Sequence, residues 1–323
     1  MRAIHAVAFG GPEVLELTQL PSPAPATGDA VVGVEVAPVL YLDTQIRAGL
    51  AREWFPARPP YVPGAGVAGI VASVGPDTDP SWIGRRVVAD TPDDGGYREQ
   101  AVVPVDRLIP VPDGVDLPTA AALLHDGRTA LALIEATEPQ PGEWVVVLGA
   151  AGGLGALLVQ LAHRAGARVL AAARGEHKLA LATRLGADQT VDYTRPDWVA
   201  QASQLIGGHG ADVIFDGVGG QIGRAAFGVT AAGGRFSAHG APAGGFAPID
   251  PAEATRRGIT VLGIDRVQLD AAAGARLTTL ILSRAGDRDI APVIGQTFPL
   301  AHASDAHRAI ESRAVTGKTL LEV

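Results

Sequence analysis

The chain of 323 residues contains no cysteine, which excludes disulfide bonds, thiolate catalysis and cysteine-ligated zinc. Lysine is scarce too: Lys178 and Lys318 are the only lysines among 26 basic residues, and the others are arginine. The first residues, from Met1 to His5, begin no hydrophobic signal region. Because missing cysteines fit a reducing compartment, we expect a cytoplasmic protein.

The sequence also lacks the charge and the long apolar runs typical of nucleic-acid or membrane partners. The net charge is -8 and the isoelectric point is near 5.5, so no nucleic-acid partner is expected. The uncharged segment from Trp144 to Ala162 is nearly long enough to span a membrane. However, glycines at 149, 152, 153 and 155 interrupt it where a strand should pass into a helix, so we predict buried α/β core and no membrane partner.

The most informative segment lies between Trp144 and Arg174. It reads as a buried strand (144–148), a glycine-rich turn (149–155), an uncharged helix and a second buried strand from Arg168. This order is typical of the first half of a dinucleotide-binding unit. We expect Gly152 and Gly153 to let the backbone approach a pyrophosphate, and Gly155 to let helix and strand pack closely.

The end of the second strand indicates which dinucleotide binds. An NAD-binding unit would have Asp or Glu there, but this chain has Ala173 and Arg174, with Lys178 just beyond. A carboxylate would repel a 2′-phosphate, so its absence favours NADPH. The alternative is a doubly wound protein that binds no nucleotide, and Ala150 does replace the first glycine of the usual motif.

The wider pattern predicts two domains of an α/β protein. Up to residue ~120, short apolar runs separated by Pro and Gly predict strands of an irregular barrel, including 30–36, 69–74, 86–89 and 100–104. Residues 118–136 are helical in pattern, and strands alternate with helices beyond them, at 189–193, 211–216 and 234–240. We predict a parallel sheet for residues 123–261, with the last ~60 residues returning to the first domain.

Several motifs in this order resemble the medium-chain dehydrogenase/reductase superfamily, and within it the zinc-independent NADPH:quinone oxidoreductase (zeta-crystallin-like) family. The residues that carry the resemblance span nearly the whole chain: 9–15, 43–49, 63–69, 150–155, 216–220 and 316–318. The resemblance implies a GroES-like β-barrel catalytic domain (1–122 and 262–323) and a doubly wound Rossmann domain (123–261), with nicotinamide in the cleft between them. It also implies a homodimer.

The resemblance further implies a set of cofactor contacts. Residues at the matching positions would meet the pyrophosphate, surround the 2′-phosphate, approach the nicotinamide or close over the cofactor: Thr129, Ala151, Gly152, Gly153, Leu154, Ala173, Arg174, Lys178, Tyr193, Gly217, Val218, His239, Gly240, Ile264, Arg266 and Lys318. For Tyr193 the alternative is an ordinary aromatic residue of a strand. For Lys318 the alternative is a lysine that is present by chance and has no role in binding.

The acceptor side is less defined by sequence. Zinc-dependent relatives use Cys, His and Glu ligands, but the corresponding stretches contain Leu40, Ala65 and Gly66, so no metal site is expected. Leu40, Tyr41 and His125 are the predicted substrate pocket, and Tyr41 is the first candidate for a proton donor or carbonyl anchor, with a role as pocket wall equally open.

His125 and Asp126 are adjacent on a helix and cannot face each other, which favours a helix-start or surface role for them. Asp43 and Arg47, at i and i+4, are read as a structural ion pair.

The leading hypothesis is therefore an NADPH-dependent reductase that transfers hydride to a quinone or to the C=C bond of an α,β-unsaturated carbonyl. One alternative is an enoyl reductase of a biosynthetic, polyketide-type pathway. Another, from a different class, is a non-catalytic NADPH-binding sensor or a lens-crystallin-like structural protein. A zinc alcohol dehydrogenase is rejected because its ligands are missing.

Overall fold

The computed structural model describes residues 1–91 and 95–323. In chain order, its strands are β1 Arg2–Ala6, β2 Leu15–Gln19, β3 Asp29–Val39, β4 Gly66–Val74, β5 Arg86–Asp90, β6 Gln100–Pro104, β7 Ile109–Pro110, β8 Trp144–Leu148, β9 Arg168–Ala173, β10 Gln189–Asp192, β11 Ala211–Asp216, β12 Thr230–Ala238, β13 Thr260–Leu262, β14 Ile294–Pro299 and β15 Lys318–Glu322. The α-helices are α1 Tyr41–Arg47, α2 Leu117–Thr137, α3 Gly153–Arg164, α4 Glu176–Arg184, α5 Trp198–Leu205, α6 Gly220–Gly228, α7 Pro251–Arg257, α8 Ala271–Gly286 and α9 Ala303–Glu311.

The chain divides into two compact units. The first unit contains Met1–His125 and Gly274–Val323, and the second contains Asp126–Ala273. The boundaries expected from sequence were 122/123 and 261/262, so the last residues of the second unit (262–273) were expected in the first. Helices α2 and α8 each cross a boundary of the two units.

The second unit is built on a parallel sheet with strand order β10-β9-β8-β11-β12-β13. Strand β8 is buried along its whole length, which explains its unbroken apolar sequence, since a strand covered on both faces has no solvent side. The strand order reverses between β8 and β11, and ligands of open α/β sheets collect beyond the carboxyl ends of the strands at such a point. The uncharged segment from Trp144 to Ala162 forms β8 and most of α3, as predicted. Among the described residues, no helix is long and apolar enough to cross a membrane.

The first unit is built on a mainly antiparallel sheet around the long strand β3. Strand β3 pairs antiparallel with β4, β6 and β15, and β4 continues the sheet to β5 and β7. Strand β14 joins the other edge, parallel to β15, so the C-terminal strands complete a sheet begun near the N-terminus. The last ~60 residues were predicted to return to the first domain, and β14 and β15 belong to the sheet of the first unit.

The predicted strands agree with the structure except at their ends. Strand β6 has the predicted bounds, whereas β3 and β4 are each longer than predicted. The strand predicted at 234–240 begins earlier, at Thr230, and ends at Ala238. His239 and Gly240 therefore belong to the turn beyond the strand, at the carboxyl edge of the sheet.

Candidate functional site

The turn after β8 is shaped by two glycines. Gly149 has a left-handed backbone with φ of +70°, which favours glycine. A Cβ on Gly155 would lie 2.3 Å from the carbonyl oxygen of Gly149 and 3.0 Å from Cα of Ala150, so a side chain there would push α3 away from the turn. The predicted packing role of Gly155 is confirmed. Gly152, the N-cap of α3, has an ordinary extended backbone, so the left-handed position of the turn is Gly149.

Helix α3 begins at this turn and presents its first backbone N–H groups beyond the carboxyl end of β8. No side chain caps the helix at Gly152. The unpaired N–H groups at a helix start and the positive end of the helix dipole favour an anion. The predicted pyrophosphate residues at positions 151–154 are all in this turn and the first helical turn.

Two cations lie together just beyond β9. Strand β9 ends at the buried Ala173, Arg174 follows it, and Lys178 is in the first turn of α4. Burial lowers the pKa of Lys178, and the positive charge of Arg174 lowers it further. Such repulsion means that the two charges are close, and a dianionic phosphate would relieve it.

A carboxylate that no sequence pattern indicated fixes the loop between β9 and α4. Asp192, the last residue of β10, accepts hydrogen bonds from the backbone N–H of Gly175 at 3.0 Å and from the N–H of Thr194 at 2.9 Å. Burial raises its pKa, but a hydrogen bond from the Thr194 hydroxyl at 2.6 Å, together with those from the two N–H groups, outweighs burial, and the pKa is lowered. Through these hydrogen bonds, the Asp192 carboxylate stabilises the loop before α4. Tyr193 follows it and packs against the hydrophobic core of the unit.

The turns after β11 and β12 touch each other. A Cβ on Gly240 would lie 2.1 Å from the carbonyl carbon of Gly217, so the two backbones approach at a distance that only glycine permits. Asp216, fully buried at the end of β11, accepts hydrogen bonds from Val218 N–H at 2.9 Å and Gly219 N–H at 2.8 Å. The Asp216 carboxylate therefore holds the turn that contains Gly217 and Val218.

His239 extends this cluster at the carboxyl edge. Its Nδ1 lies 3.0 Å from the hydroxyl of Ser237, whereas its buried Nε2 has no hydrogen-bond partner among the described residues. Burial lowers the pKa of His239 to about 4, so the ring is neutral at pH 7. A buried ring nitrogen without a partner is unfavourable unless a ligand pairs with it.

The other predicted cofactor residues lie farther from these turns along the chain. Ile264 and Arg266 are on the exposed 3₁₀ helix Ile264–Val267, which follows β13 at the same edge of the sheet. Thr129 is half-buried on α2. Lys318 is in the first unit, at the start of β15, and only 4 % of its surface is exposed.

In the first unit, predicted pocket residues gather around the buried carboxylate of Asp43. Oδ2 of Asp43 accepts the N–H of Leu40 at 2.8 Å and the hydroxyl of Tyr97 at 3.1 Å. Burial raises the pKa of Asp43; the two hydrogen bonds oppose this, as do the charges of His125 and Lys318. Leu40 thus contacts Asp43 directly, and the charges of His125 and Lys318 act on the same carboxylate.

The other side of this network is structural. The Tyr97 hydroxyl also lies 3.1 Å from Nε2 of His307, and both residues are completely buried. The predicted ion pair between Asp43 and Arg47 is wrong. The buried Arg47 pairs with Glu311 on α9 and donates to the carbonyl oxygen of Gly10 at 2.9 Å, because its side chain points away from Asp43 to the neighbouring helix.

Tyr41 has different surroundings from Leu40. It is partly exposed at the first position of α1, and burial raises the pKa of its hydroxyl. The charges that act on it belong to Arg313 and Glu311, and its hydrogen-bond partner is Gln45. Tyr41 therefore faces the end of α9, whereas Asp43 faces Tyr97 and His125.

His125 pairs with an acid that is distant in sequence. Its Nε2 lies 3.1 Å from Oδ1 of Asp90, at the end of β5. Its ring fits against β4 because residue 66 is glycine: a Cβ there would lie 2.7 Å from Cε1 of His125 and 2.5 Å from Cδ2 of Leu124. From the sequence, Gly66 is only a residue in the stretch where zinc ligands are missing. In the structure, its missing side chain leaves the space in which the His125 ring packs. Across residues 1–91 and 95–323, no group of three or more His, Asp or Glu side chains is arranged to hold a metal ion.

Two family models match this chain. The alcohol dehydrogenase GroES-like domain matches residues 26–113, and the zinc-binding dehydrogenase family matches residues 153–280. Over 326 residues the chain is 30% identical to the quinone oxidoreductase of Rattus norvegicus, covering 99% of this chain and 97% of the relative. The chain belongs to the quinone oxidoreductase family. The predicted GroES-like and Rossmann-type domains of this medium-chain dehydrogenase/reductase are thereby confirmed.

Two further relatives are similar to this member of the quinone oxidoreductase family. A 2-haloacrylate reductase from a Burkholderia species is 28% identical, with 97% of this chain and 96% of the relative covered. Crystal structures of the quinone oxidoreductase from Thermus thermophilus and its complex with NADPH show 34% identity, a TM-score of 0.85 and full coverage of both chains.

Proposed function

We propose that this protein is an NADPH-dependent reductase that transfers hydride to a quinone or to the C=C bond of an α,β-unsaturated carbonyl. The observation that carries the proposal is the pair of cations, Arg174 and Lys178, close together beyond a strand that ends in Ala173. The NADPH complex of the Thermus relative supports the cofactor. A 2-haloacrylate, from which the Burkholderia relative takes its name, contains an activated C=C bond.

The residues of the second unit fit this cofactor. The helix start at Gly152 and Gly153 would hold the pyrophosphate with backbone N–H groups. Arg174 and Lys178 would hold the 2′-phosphate, and the unpaired Nε2 of the neutral His239 would bond to a polar group of the cofactor. Bound NADPH supplies the hydride.

The first unit would supply the acceptor pocket. Leu40 gives this pocket an apolar wall, and Tyr41 is a candidate wall or carbonyl anchor. The positive charge of the buried Lys318 lowers the pKa of Asp43, and we propose that Lys318 acts through that carboxylate. Such residues orient the acceptor and exclude water, and orientation supplies much of the rate of a hydride transfer.

Replacing Lys178 by alanine tests the cofactor site. A hydrogen bond to a charged group contributes about 1.5–3 kcal/mol, so Lys178→Ala should weaken NADPH binding roughly 10- to 150-fold and leave NADH binding unchanged. Calorimetry with both nucleotides measures this. Arg184→Ala, at the other end of α4, is the matched control. Equal affinities of the wild-type protein for NADPH and NADH would refute the phosphate site.

The acceptor class is tested by NADPH oxidation, followed at about 340 nm by the absorbance of the reduced nicotinamide, with a panel of quinones and enones. Turnover with such acceptors supports the enzyme, and tight NADPH binding without turnover would instead indicate a binding protein. We also propose a homodimer in the cytoplasm. Analytical ultracentrifugation tests the first of these, and cell fractionation the second.

A further inference from the structure

The reduction needs a proton as well as a hydride, and the side chain that supplies it is not evident from the sequence. We infer that His125, oriented by Asp90, is the catalytic residue that protonates the acceptor oxygen. This inference rests on the proposed function and adds to it the source of the proton.

The first support is the arrangement of the ring. Nε2 of His125 lies 3.1 Å from Oδ1 of Asp90, and its buried Nδ1 has no hydrogen-bond partner within residues 1–91 and 95–323. The Asp90 carboxylate is thus beside one ring nitrogen, and the other ring nitrogen, Nδ1, is the one that needs a partner.

The second support is the position of the ring. The charge of His125 acts on Asp43, whose carboxylate accepts the N–H of Leu40. Gly64, two residues before Gly66, packs against the ring of Tyr97, whose hydroxyl donates to the same Asp43 carboxylate, so His125 and Leu40 border one network. Of the His125 side chain, 13% is exposed. Tyr41, the alternative donor, interacts with Arg313 and Glu311 at the end of α9.

The third support is the space made for the ring. Gly66 has no side chain, and the ring of His125 occupies the space beside it. A Cβ at position 66 would lie 2.7 Å from Cε1 of His125. Ala65 and Gly66 are the stretch in which zinc-dependent relatives place metal ligands. In this chain the ring of His125 packs against this stretch at Gly66.

The proposed step balances without another reactant. The hydride, with its two electrons, bonds to the β-carbon of the enone, and the π electrons of the C=C bond shift to the carbonyl oxygen. The Nδ1–H bond of the imidazolium breaks, its electron pair stays on nitrogen, and the proton bonds to that oxygen. The enol then tautomerises in water, and His125 takes a new proton from water. A quinone accepts the same hydride and proton to give the hydroquinone.

The test uses His125→Gln, which keeps a donor to Asp90 but carries no transferable proton. We expect kcat with an enone to fall at least about 100-fold, because general acid catalysis contributes factors of this size, while calorimetry shows unchanged NADPH affinity. The matched control is His302→Gln, an exposed histidine whose Nδ1 lies 2.9 Å from Asp305. It should leave kcat unchanged.

Two further readouts separate chemistry from structure. Added imidazole should restore turnover in His125→Ala, whose truncated side chain leaves space beside Gly66, and should not affect the wild type. In ¹⁵N-histidine spectra of the wild-type protein without cofactor, neutral His125 should carry its proton on Nε2, and Asp90→Asn should weaken this preference.

The outcomes are distinguishable from failure of the proposed function. If the wild type oxidises no NADPH with any acceptor, the proposed function fails. If the wild type turns over but His125→Gln has the same kcat, or if imidazole restores nothing in His125→Ala, the donor is not His125. A fall in kcat in Tyr41→Phe with full activity in His125→Gln would assign the proton to Tyr41.

Discussion

A methyl group at position 66 should disable the site by displacing the ring of His125. A Cβ on Gly66 would lie 2.5 Å from Cδ2 of Leu124 and 2.7 Å from Cε1 of His125, and ordinary contacts begin at 3.4 Å. The ring in Gly66→Ala must therefore move by about 0.7 Å, and Leu124 by about 0.9 Å. The backbone at residue 66 does not have positive φ, so alanine adds no strain of its own.

The expected size of the effect follows from that displacement. A shift of this size changes the pairing of His125 with Asp90, which is 3.1 Å long in the wild type. Displacements of about 1 Å can cost about 100-fold in rate, so kcat should fall by roughly that factor. Overpacking of a core costs about 1–3 kcal/mol, so the free energy of unfolding should fall by a similar amount.

The assay compares Gly66→Ala with Gly33→Ala in the same sheet. A Cβ on Gly33 would lie 3.5 Å from the carbonyl oxygen of Ile70, an ordinary contact, so this control should keep its kcat. Steady-state kinetics with an enone, NADPH affinity by calorimetry and ¹⁵N-histidine spectra are measured on both variants. Full kcat in Gly66→Ala, with an unchanged His125 signal, would show that the space at residue 66 does not position His125.

Two other predictions concern the cofactor turn and the buried histidine. Gly155→Val should abolish NADPH binding, because a Cβ there would lie 2.3 Å from the Gly149 carbonyl oxygen, and calorimetry should detect no heat; binding as in the wild type would show that the turn does not hold the cofactor. Burial lowers the pKa of His307 from 6.5 to about 3. Between these pH values the histidine is protonated in the unfolded chain but neutral in the folded protein, so the free energy of unfolding falls as the pH falls from 6.5 to about 3. The loss is at most about 5 kcal/mol. Urea unfolding measures the free energy of unfolding of the wild type and of His307→Gln between these pH values, and this free energy should depend less on pH in the variant. The same pH dependence in both proteins would contradict the prediction.

Much of the fold was predictable because its signals are local. The buried strand at Trp144–Leu148, the turn with Gly155 and the second strand ending at Ala173 each follow from neighbouring residues and their periodicity. The position of Arg174 and Lys178 beside a strand end also follows from local order, since a helix beginning at Glu176 places residue 178 in its first turn. Only the ends of strands differed, as at β12, where tertiary pairing sets the last residue.

Contacts between residues that are distant in the chain depend on the tertiary structure. His125 was predicted to have a helix-start or surface role, but it is in the middle of α2 and mostly buried. The sheet brings Asp90 to its ring, and Gly66 on a third element makes the space. Arg47 was paired by spacing with Asp43, but α9 brings Glu311 to it. Spacing within one helix reports only neighbours on that helix. Partners from other strands and helices depend on how the sheet orders them, and an absent side chain such as that of Gly66 acquires its meaning from what packs into its place.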